Sequence, residues 1–163
     1  MDIQPAVSLM TDYFDDARHV DHTMKVLAEA EAIIDAEPFG GRDGFLVDVI
    51  RLACVFHDIG IPNAIRIHGS SAGPHQEREG VPVAAELLDR LNVRADLRER
   101  VCFIVGHHHT RDAIDGPDFQ VVWDADMIVN LREGNVVPQG PVADFIERSF
   151  ETAAGAARAR QQG

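Results

Sequence analysis

An adjacent histidine and aspartate, His57-Asp58, end an apolar run, LACVFHDIGIP, that spans residues 52–62. A neutral imidazole nitrogen and a carboxylate oxygen are both common ligands of divalent transition metals. Taken alone, such a pair is also typical of an ordinary helix end. More residues of the same chemistry follow or precede it, namely His22, His75, the run His107-His108-His109, and Asp126. These residues predict a metal site if the fold brings them together.

The segment around His22 has the pattern of an amphipathic helix. Apolar side chains recur at three- and four-residue steps over residues 15–37, and Pro38 with the Gly40-Gly41 pair predicts the end of this helix. His22 lies four residues before one of these apolar side chains, so it points near the buried stripe. His19, three residues earlier, is the competing candidate.

A second helix is predicted over residues 44–58, and His57 continues its apolar stripe. Burying an imidazole and a carboxylate there costs free energy unless they are paired or bound to a metal. Gly60 and Pro62 predict the end of the helix. Residues 59–74 are therefore predicted to be a loop that forms a rim or lid of the site, and this loop carries Arg66 and His68.

Further helices are predicted over residues 75–91, 95–107, 119–132 and 141–160. His75 lies in the first turn of the helix predicted over residues 75–91. His107 lies at the end of the helix over residues 95–107, and Asp126 lies on the apolar face of the helix over residues 119–132. Strand-like alternation is scarce. The sequence thus predicts an all-α, single-domain bundle of five to six or more helices over residues 1–163, with its motifs in residues 17–131.

The composition argues against some classes of binding partner and indicates the cellular compartment. A formal net charge of −12 argues against a nucleic-acid polymer or an anionic membrane as partner. The sequence has no apolar stretch long enough for a membrane span and no pattern of a signal peptide, and its two cysteines lie in apolar runs without a C-x-x-C pair. We therefore expect a cytoplasmic protein with a small-molecule substrate, and a possible homodimer on base rates.

Five segments in this order resemble the motifs of the HD-domain superfamily of metal-dependent phosphohydrolases. They are RHVDHTMKVLAEAEAI, LACVFHDIGIP, GPHQEREGVPVAAELL, VCFIVGHHH and VVWDADMIVNL. The resemblance implies an all-α fold that holds a divalent metal. The resemblance also implies four ligands of that metal. Carried over to this sequence, these ligands are His22, His57, Asp58 and Asp126. Asp126 is preferred to Asp124 because it follows an alanine and precedes apolar residues, as in the family.

Binuclear members of the superfamily add two histidines between the His-Asp pair and the last aspartate. The resemblance implies His75 and His107 for this role, with His68 and His108 as their alternatives. The expected cofactor is accordingly one or two divalent transition metal ions per chain, with Fe, Mn, Ni, Co and Zn all left open.

The implied activity is hydrolysis of a small phosphate ester or nucleotide by a metal-activated water. Asp58 would bind the metal and hold that water. The loop residues Arg66 and Arg111 are candidates for gripping the phosphate, and His68 and His108 are candidate general acids. The segment HHHTRDAIDGPDF lacks the Gly-Tyr-Pro signature of the branch that cleaves cyclic dinucleotides, which weakens that assignment.

Two other functions stay open on the sequence alone. Some binuclear members of the superfamily are di-iron oxygenases, and nitrogen- and carboxylate-rich sites accommodate iron as readily as other first-row metals. A catalytically inactive metal- or nucleotide-binding module is the non-enzymatic alternative.

Overall fold

The computed structural model describes residues 1–37 and 44–161. Within these ranges the chain forms nine α-helices and one short 3₁₀ helix, and it has no strand. The α-helices are α1 (Gln4–Tyr13), α2 (Ala17–Ala36), α3 (Gly44–Phe56), α4 (Ile61–His68), α5 (Gly73–Arg90), α6 (Ala95–Val105), α7 (Pro117–Glu133), α8 (Val142–Ser149) and α9 (Ala153–Arg160). The 3₁₀ helix is Arg111–Ala113. The all-α fold class predicted from the sequence is confirmed.

Three helices, α2, α3 and α7, form the centre of the bundle and pack against one another. α3 is the most apolar of them and also packs on α6, so its side chains from Val49 to Phe56 are almost all buried. Burial of such apolar surface is the main favourable contribution to folding. Because the ends of α3 and α6 and one face each of α2 and α7 meet at this core, polar residues at those places are brought close together.

The start of α2 follows from its sequence. Asp16 stands at the N-cap, where its carboxylate accepts a hydrogen bond from the backbone N–H of Arg18 at 2.9 Å. The predicted end of this helix at Pro38 and the Gly40-Gly41 pair lies outside the described residues.

The prediction of a loop over residues 59–74 is wrong, because half of the segment forms α4 and its last two residues begin α5. Pro62 ends a helix when it lies inside one, but here it lies in the first turn of α4, where a proline has no hydrogen bond to lose. Gly69 ends the helix with a positive φ of 66°. The segment that follows the His-Asp pair is thus mainly a helix rather than a loop, and its residues Ile61 and Ser71 border the cleft described below.

The single final helix predicted over residues 141–160 is also wrong. It is divided into α8 and α9 at Phe150, whose backbone is extended, and Thr152 caps α9 by accepting a hydrogen bond from Gly155 N at 2.9 Å. Asp124 holds this break in place, since its carboxylate accepts hydrogen bonds from Glu151 N and Thr152 N at 2.8 and 2.7 Å. The helix α1 was not predicted at all.

A buried carboxylate ties the C-terminal helix to the centre of the bundle. Glu29 of α2 is 6% exposed and accepts hydrogen bonds from Arg132 of α7 and, at 2.6 Å, from Arg158 of α9. Paired in this way, the charge is compensated where it is removed from water.

Across residues 1–37 and 44–161, no helix combines the length and the apolar character that crossing a membrane requires.

Candidate metal centre

Four of the predicted ligands converge where α2, α7 and the end of α3 meet. His22 Nε2 lies 3.1 Å from Asp126 Oδ1 and 3.6 Å from Asp58 Oδ2. His57 Nε2 lies 3.4 Å from Asp58 Oδ2 and 3.6 Å from Asp126 Oδ1. Two imidazoles and two carboxylates thus direct their potential ligand atoms at one small volume, although they come from three different parts of the chain.

The hydrogen bonds of the imidazoles define which nitrogen carries the proton. His57 Nδ1 lies 2.7 Å from the carbonyl oxygen of Cys54, and His108 Nδ1 lies 2.8 Å from that of Val105. A carbonyl oxygen only accepts, so both Nδ1 atoms are donors. In the neutral rings the lone pairs are then on Nε2, the tautomer that a metal ligand needs.

These Nε2 atoms provide the test of whether the site suits a metal. Within the described part of the chain, Nε2 of His57 and Nε2 of His108 are buried and have no hydrogen-bond partner. Each lies 3.4 Å from an oxygen of Asp58. A buried lone pair that faces a carboxylate is unfavourable unless a proton or a metal ion lies between them. A divalent ion would satisfy both groups, so these residues fit a metal.

The charges of the cluster are strongly coupled. Burial lowers the pKa of His57, but Asp58 and Asp126 outweigh it and raise this pKa well above its ordinary value. Burial raises the pKa of Asp58, but His57 and His108 outweigh it and hold this pKa well below its ordinary value. The carboxylates are therefore ionised at neutral pH, and a metal would compete with protons for the imidazoles.

A second group of ligand atoms shares Asp58 with the first. Asp58, His108 and His109 bring one ligand atom each within 4.8 Å of one another. The two oxygens of Asp58 divide between the groups, because Oδ2 faces His22 and His57 while Oδ1 lies 3.4 Å from His108 Nε2. His109 Nε2 also lies 3.0 Å from Gln76 Oε1. One carboxylate is thus placed between two clusters that could each hold an ion.

Several other predicted residues are not in these clusters. His107 turns away, since its Nδ1 donates to Phe103 O at 2.7 Å and its ring packs on Phe103 beside a separate groove. His75 stacks on His68 at a centroid distance of 4.2 Å, and His68 bonds to Glu79 at 2.9 Å. The structure therefore brings His108, rather than His107, to Asp58.

The two predicted phosphate-binding arginines are both exposed and engaged elsewhere. Arg111 pairs with Glu151 at 2.7 Å, and Arg66 donates to Asn63 at 3.2 Å. Neither is among the described residues that line the cleft over the metal cluster. His19, the competitor of His22, does line that cleft, but its ring packs beside Phe14 at 5.2 Å.

A family model of the HD domain matches residues 19–137, which is most of the chain. The chain belongs to the HD-domain family. A crystal structure of a predicted HD superfamily hydrolase from an uncultured Thermotogales bacterium has a similar fold, with a TM-score of 0.70 and 19% sequence identity. The match covers 98% of this chain and 84% of that one. No curated protein matches the sequence at a significant level.

The sequence did not reveal the residues that hydrogen-bond to the proposed ligands of this HD-domain centre. Glu133 accepts a hydrogen bond from His22 Nδ1–H at 2.8 Å, and Asn130 donates to Asp126 Oδ1 at 2.8 Å. Lys25 in turn bonds to Glu133 at 3.1 Å. Asn130 and Glu133 follow Asp126 by four and seven residues, so the three side chains share one face of the helix. This spacing could have identified both residues from the sequence.

An open cleft of about 830 Å³ lies over the HD-domain centre. His22, Asp58, Asp126, His108 and His109 all line it, and we refer to this part of the lining as its floor. The cleft is large enough for a small organic molecule. A ligand of that size would reach the metal cluster directly.

Proposed function

We propose that this protein is a metal-dependent phosphohydrolase that acts on a small phosphate ester or nucleotide. One observation carries the proposal: two buried imidazole Nε2 atoms without hydrogen-bond partners face the carboxylate of Asp58 at the floor of an open cleft. Membership of the HD-domain family supports the metal-dependent hydrolase class. The phosphate substrate is the finer part of the proposal.

The chain supplies the ligands and their orientation. His22, His57, Asp58 and Asp126 would hold one ion, and His108 with His109 and the second oxygen of Asp58 would hold another. A bound divalent ion lowers the pKa of a coordinated water and offsets negative charge at a phosphoryl oxygen. Hydrogen bonds to Glu133 and to two backbone carbonyl oxygens keep the imidazole rings in the ligand tautomer.

Asp58 has the most demanding role among these residues. It contacts imidazoles from both groups, and its pKa is held below the ordinary range, so it remains an anion at neutral pH. An ionised carboxylate at that place can accept a hydrogen bond from the attacking water and hold it beside the phosphate. We therefore assign Asp58 both metal binding and water positioning.

The test is phosphate release by the purified, metal-replete protein from a panel of phosphate monoesters, diesters and nucleotides. We expect turnover of at least one class of compound that disappears with a chelator and returns when Mn²⁺ is added. Absence of turnover with every compound and metal, combined with retained tight binding of a nucleotide, would favour the inactive binding module.

A di-iron oxygenase is the second candidate, and the shared placement of Asp58 between two ligand groups is the observation that favours it. Histidine and carboxylate ligands accommodate two irons as readily as other first-row metals. Metal analysis of anaerobically purified protein separates the two candidates. Two irons per chain and oxygen uptake with a phosphonate or polyol would overturn the hydrolase proposal.

A further inference from the structure

One wall of the cleft is apolar and aromatic, in contrast to its polar floor. Trp123 and Met127 lie four residues apart on α7 and line the cleft beside Asp126. Val136 joins them because the chain after α7 folds back, with the N–H of Val136 bonded to Asn130 O at 3.2 Å. We refer to Trp123, Met127 and Val136 as the apolar wall.

The indole of Trp123 is fixed in its position. Its Nε1–H donates to the backbone oxygen of Ser149 at 3.0 Å, where α8 ends. The side chain is half-buried, so part of the ring surface borders the cleft. Because its single donor is already used, Trp123 offers a ligand only ring surface. A preorganised aromatic surface of this kind favours a planar group.

The charges around the cleft limit how anionic a ligand can be. Among the described residues that line it, Arg18 is the only arginine or lysine, and it pairs with Asp16 at 2.6 Å. Asp21 and Glu133 also line the cleft, and both pair with Lys25. The positive charge available to a ligand would therefore come mainly from the metal. Such a cleft suits one phosphate group and disfavours a chain of three.

Neutral hydrogen-bonding groups complete the surroundings of the wall. The side chains of Asn130 and Asn135 line the cleft next to Val136, and the amide of Asn135 donates to Asn130 Oδ1 at 3.1 Å. Asn130 also donates to Asp126 Oδ1, and the amide nitrogen of Asn135 also lies 3.4 Å from Glu133 Oε2, so the Asn135 carbonyl oxygen is the main group left to accept a hydrogen bond from a polar, uncharged ring edge. The apolar wall and its amide margin thus form a surface distinct from the metal floor.

We propose that the apolar wall binds an uncharged, planar ring carried by a phosphate monoester, and that the cleft selects monophosphates over triphosphates. This inference rests on the proposed phosphohydrolase function and specifies its substrate class. The phosphate would lie over the metal cluster while the ring lies on Trp123 and Met127. Ring binding is separable from phosphate binding, which makes the two parts independently testable.

Trp123 is the single tryptophan of the chain, so its fluorescence reports directly on the wall. The metal-loaded protein is mixed rapidly with adenosine 5′-monophosphate, ribose 5-phosphate, adenosine, adenosine triphosphate or inorganic phosphate before turnover. We expect saturable quenching by the monophosphate. Ribose 5-phosphate should bind about 10-fold to 100-fold more weakly and without quenching, since it lacks the ring. The triphosphate should also bind more weakly than the monophosphate.

A matched pair of variants tests the wall by the same rapid-mixing fluorescence assay, in which the affinity for ribose 5-phosphate is measured by its competition with the monophosphate. Met127→Ala should raise the dissociation constant for the monophosphate at least about fivefold and leave that for ribose 5-phosphate unchanged. Met24→Ala, an identical change at an exposed methionine of α2 outside the cleft lining, should change neither. Circular dichroism verifies that both variants fold.

The outcomes distinguish this inference from the function on which it rests. Equal affinity for the monophosphate and ribose 5-phosphate, or an unchanged affinity in Met127→Ala, would overturn the ring site. Tighter binding of the triphosphate would overturn the charge selection. If adenosine quenches Trp123 as well as its monophosphate does and the metal-replete protein releases no phosphate from the monophosphate, the ring site stands and the phosphohydrolase proposal fails. If neither adenosine nor the monophosphate binds, the ring site is wrong.

Discussion

Replacing Asp58 by alanine tests the metal centre at the residue on which most of its contacts depend. One oxygen of Asp58 lies 3.6 Å from His22 Nε2 and 3.4 Å from His57 Nε2, and the other lies 3.4 Å from His108 Nε2. Asp58→Ala therefore removes the carboxylate common to both ligand groups. We expect loss of metal and loss of activity together.

The magnitude follows from linkage between metal binding and folding. A metal present at 100 times its dissociation constant stabilises the native state by about 2.7 kcal/mol. For a chain of this length each kcal/mol raises the unfolding midpoint by roughly 2–4 °C, which predicts a metal-dependent rise of about 5–10 °C in the wild type. Asp58→Ala should lose most of that rise.

The helices should survive the substitution. Asp58 lies two residues beyond the end of α3, and its side chain is 14% exposed, so the change leaves the apolar core intact. Asp144→Ala, at an exposed aspartate of α8, is the matched control and should keep both metal and the temperature shift.

The assay combines three measurements on the same samples. Metal per chain is measured by plasma mass spectrometry, the unfolding midpoint with and without chelator by scanning fluorimetry, and helix content by far-ultraviolet circular dichroism. Wild-type metal stoichiometry in Asp58→Ala, with an unchanged temperature shift, would refute the ligand assignment. Loss of helix content in that variant would show that Asp58 has a structural role that the packing does not predict.

Three further predictions concern His108, Glu133 and Glu29. His108→Ala should lower metal stoichiometry or weaken metal binding at least about tenfold, while His107→Ala should not; equal effects in mass spectrometry would contradict their different placements. Glu133→Gln should weaken metal binding about 10-fold to 100-fold in a chelator competition assay, because the negative charge that faces His22 Nδ1–H is lost; wild-type affinity would show that this charge is unimportant. Burial raises the pKa of Glu29, but its two arginine partners outweigh it and hold the pKa below its ordinary value of 4.5. Such a carboxylate stabilises the fold above that pH and loses its contribution as the pH falls through the lower native value. The unfolding midpoint of the wild type should therefore fall more steeply below about pH 4.5 than that of Glu29→Gln, and parallel pH profiles would contradict this.

The long helices could be predicted because each buries one regular apolar stripe. The predicted helix at residues 44–58 appears as α3, and the one at 119–132 as α7. Short helices carry less of this signal. α4 was missed because Pro62 is a breaker inside a helix but is favourable in its first turn. The division between α8 and α9 depends on hydrogen bonds to Asp124 from a distant segment, which no local pattern displays.

The same distinction between local sequence patterns and contacts between distant segments applies to the metal centre. The order of the motifs pointed to His22, His57, Asp58 and Asp126, and the structure brings these four side chains together. Periodicity could not choose between His107 and His108, because α6 ends at Val105 and both residues lie in the turn beyond it.

Long-range pairing decided where Arg111 lies. Arg111 lies against Glu151, which is 40 residues away in the sequence. Such contacts follow from tertiary packing and have no signal in the local sequence.

The most direct test of the central claim is a crystal structure of the metal-loaded protein, with anomalous data collected at the absorption edges of the transition metals. We predict an anomalous peak within coordination distance of His22 Nε2, His57 Nε2 and the carboxylates of Asp58 and Asp126. A second peak, if two ions bind, should lie between Asp58 Oδ1 and His108 Nε2. A metal-replete crystal with its peak elsewhere, or with these side chains bonded to one another and no ion among them, would contradict the account.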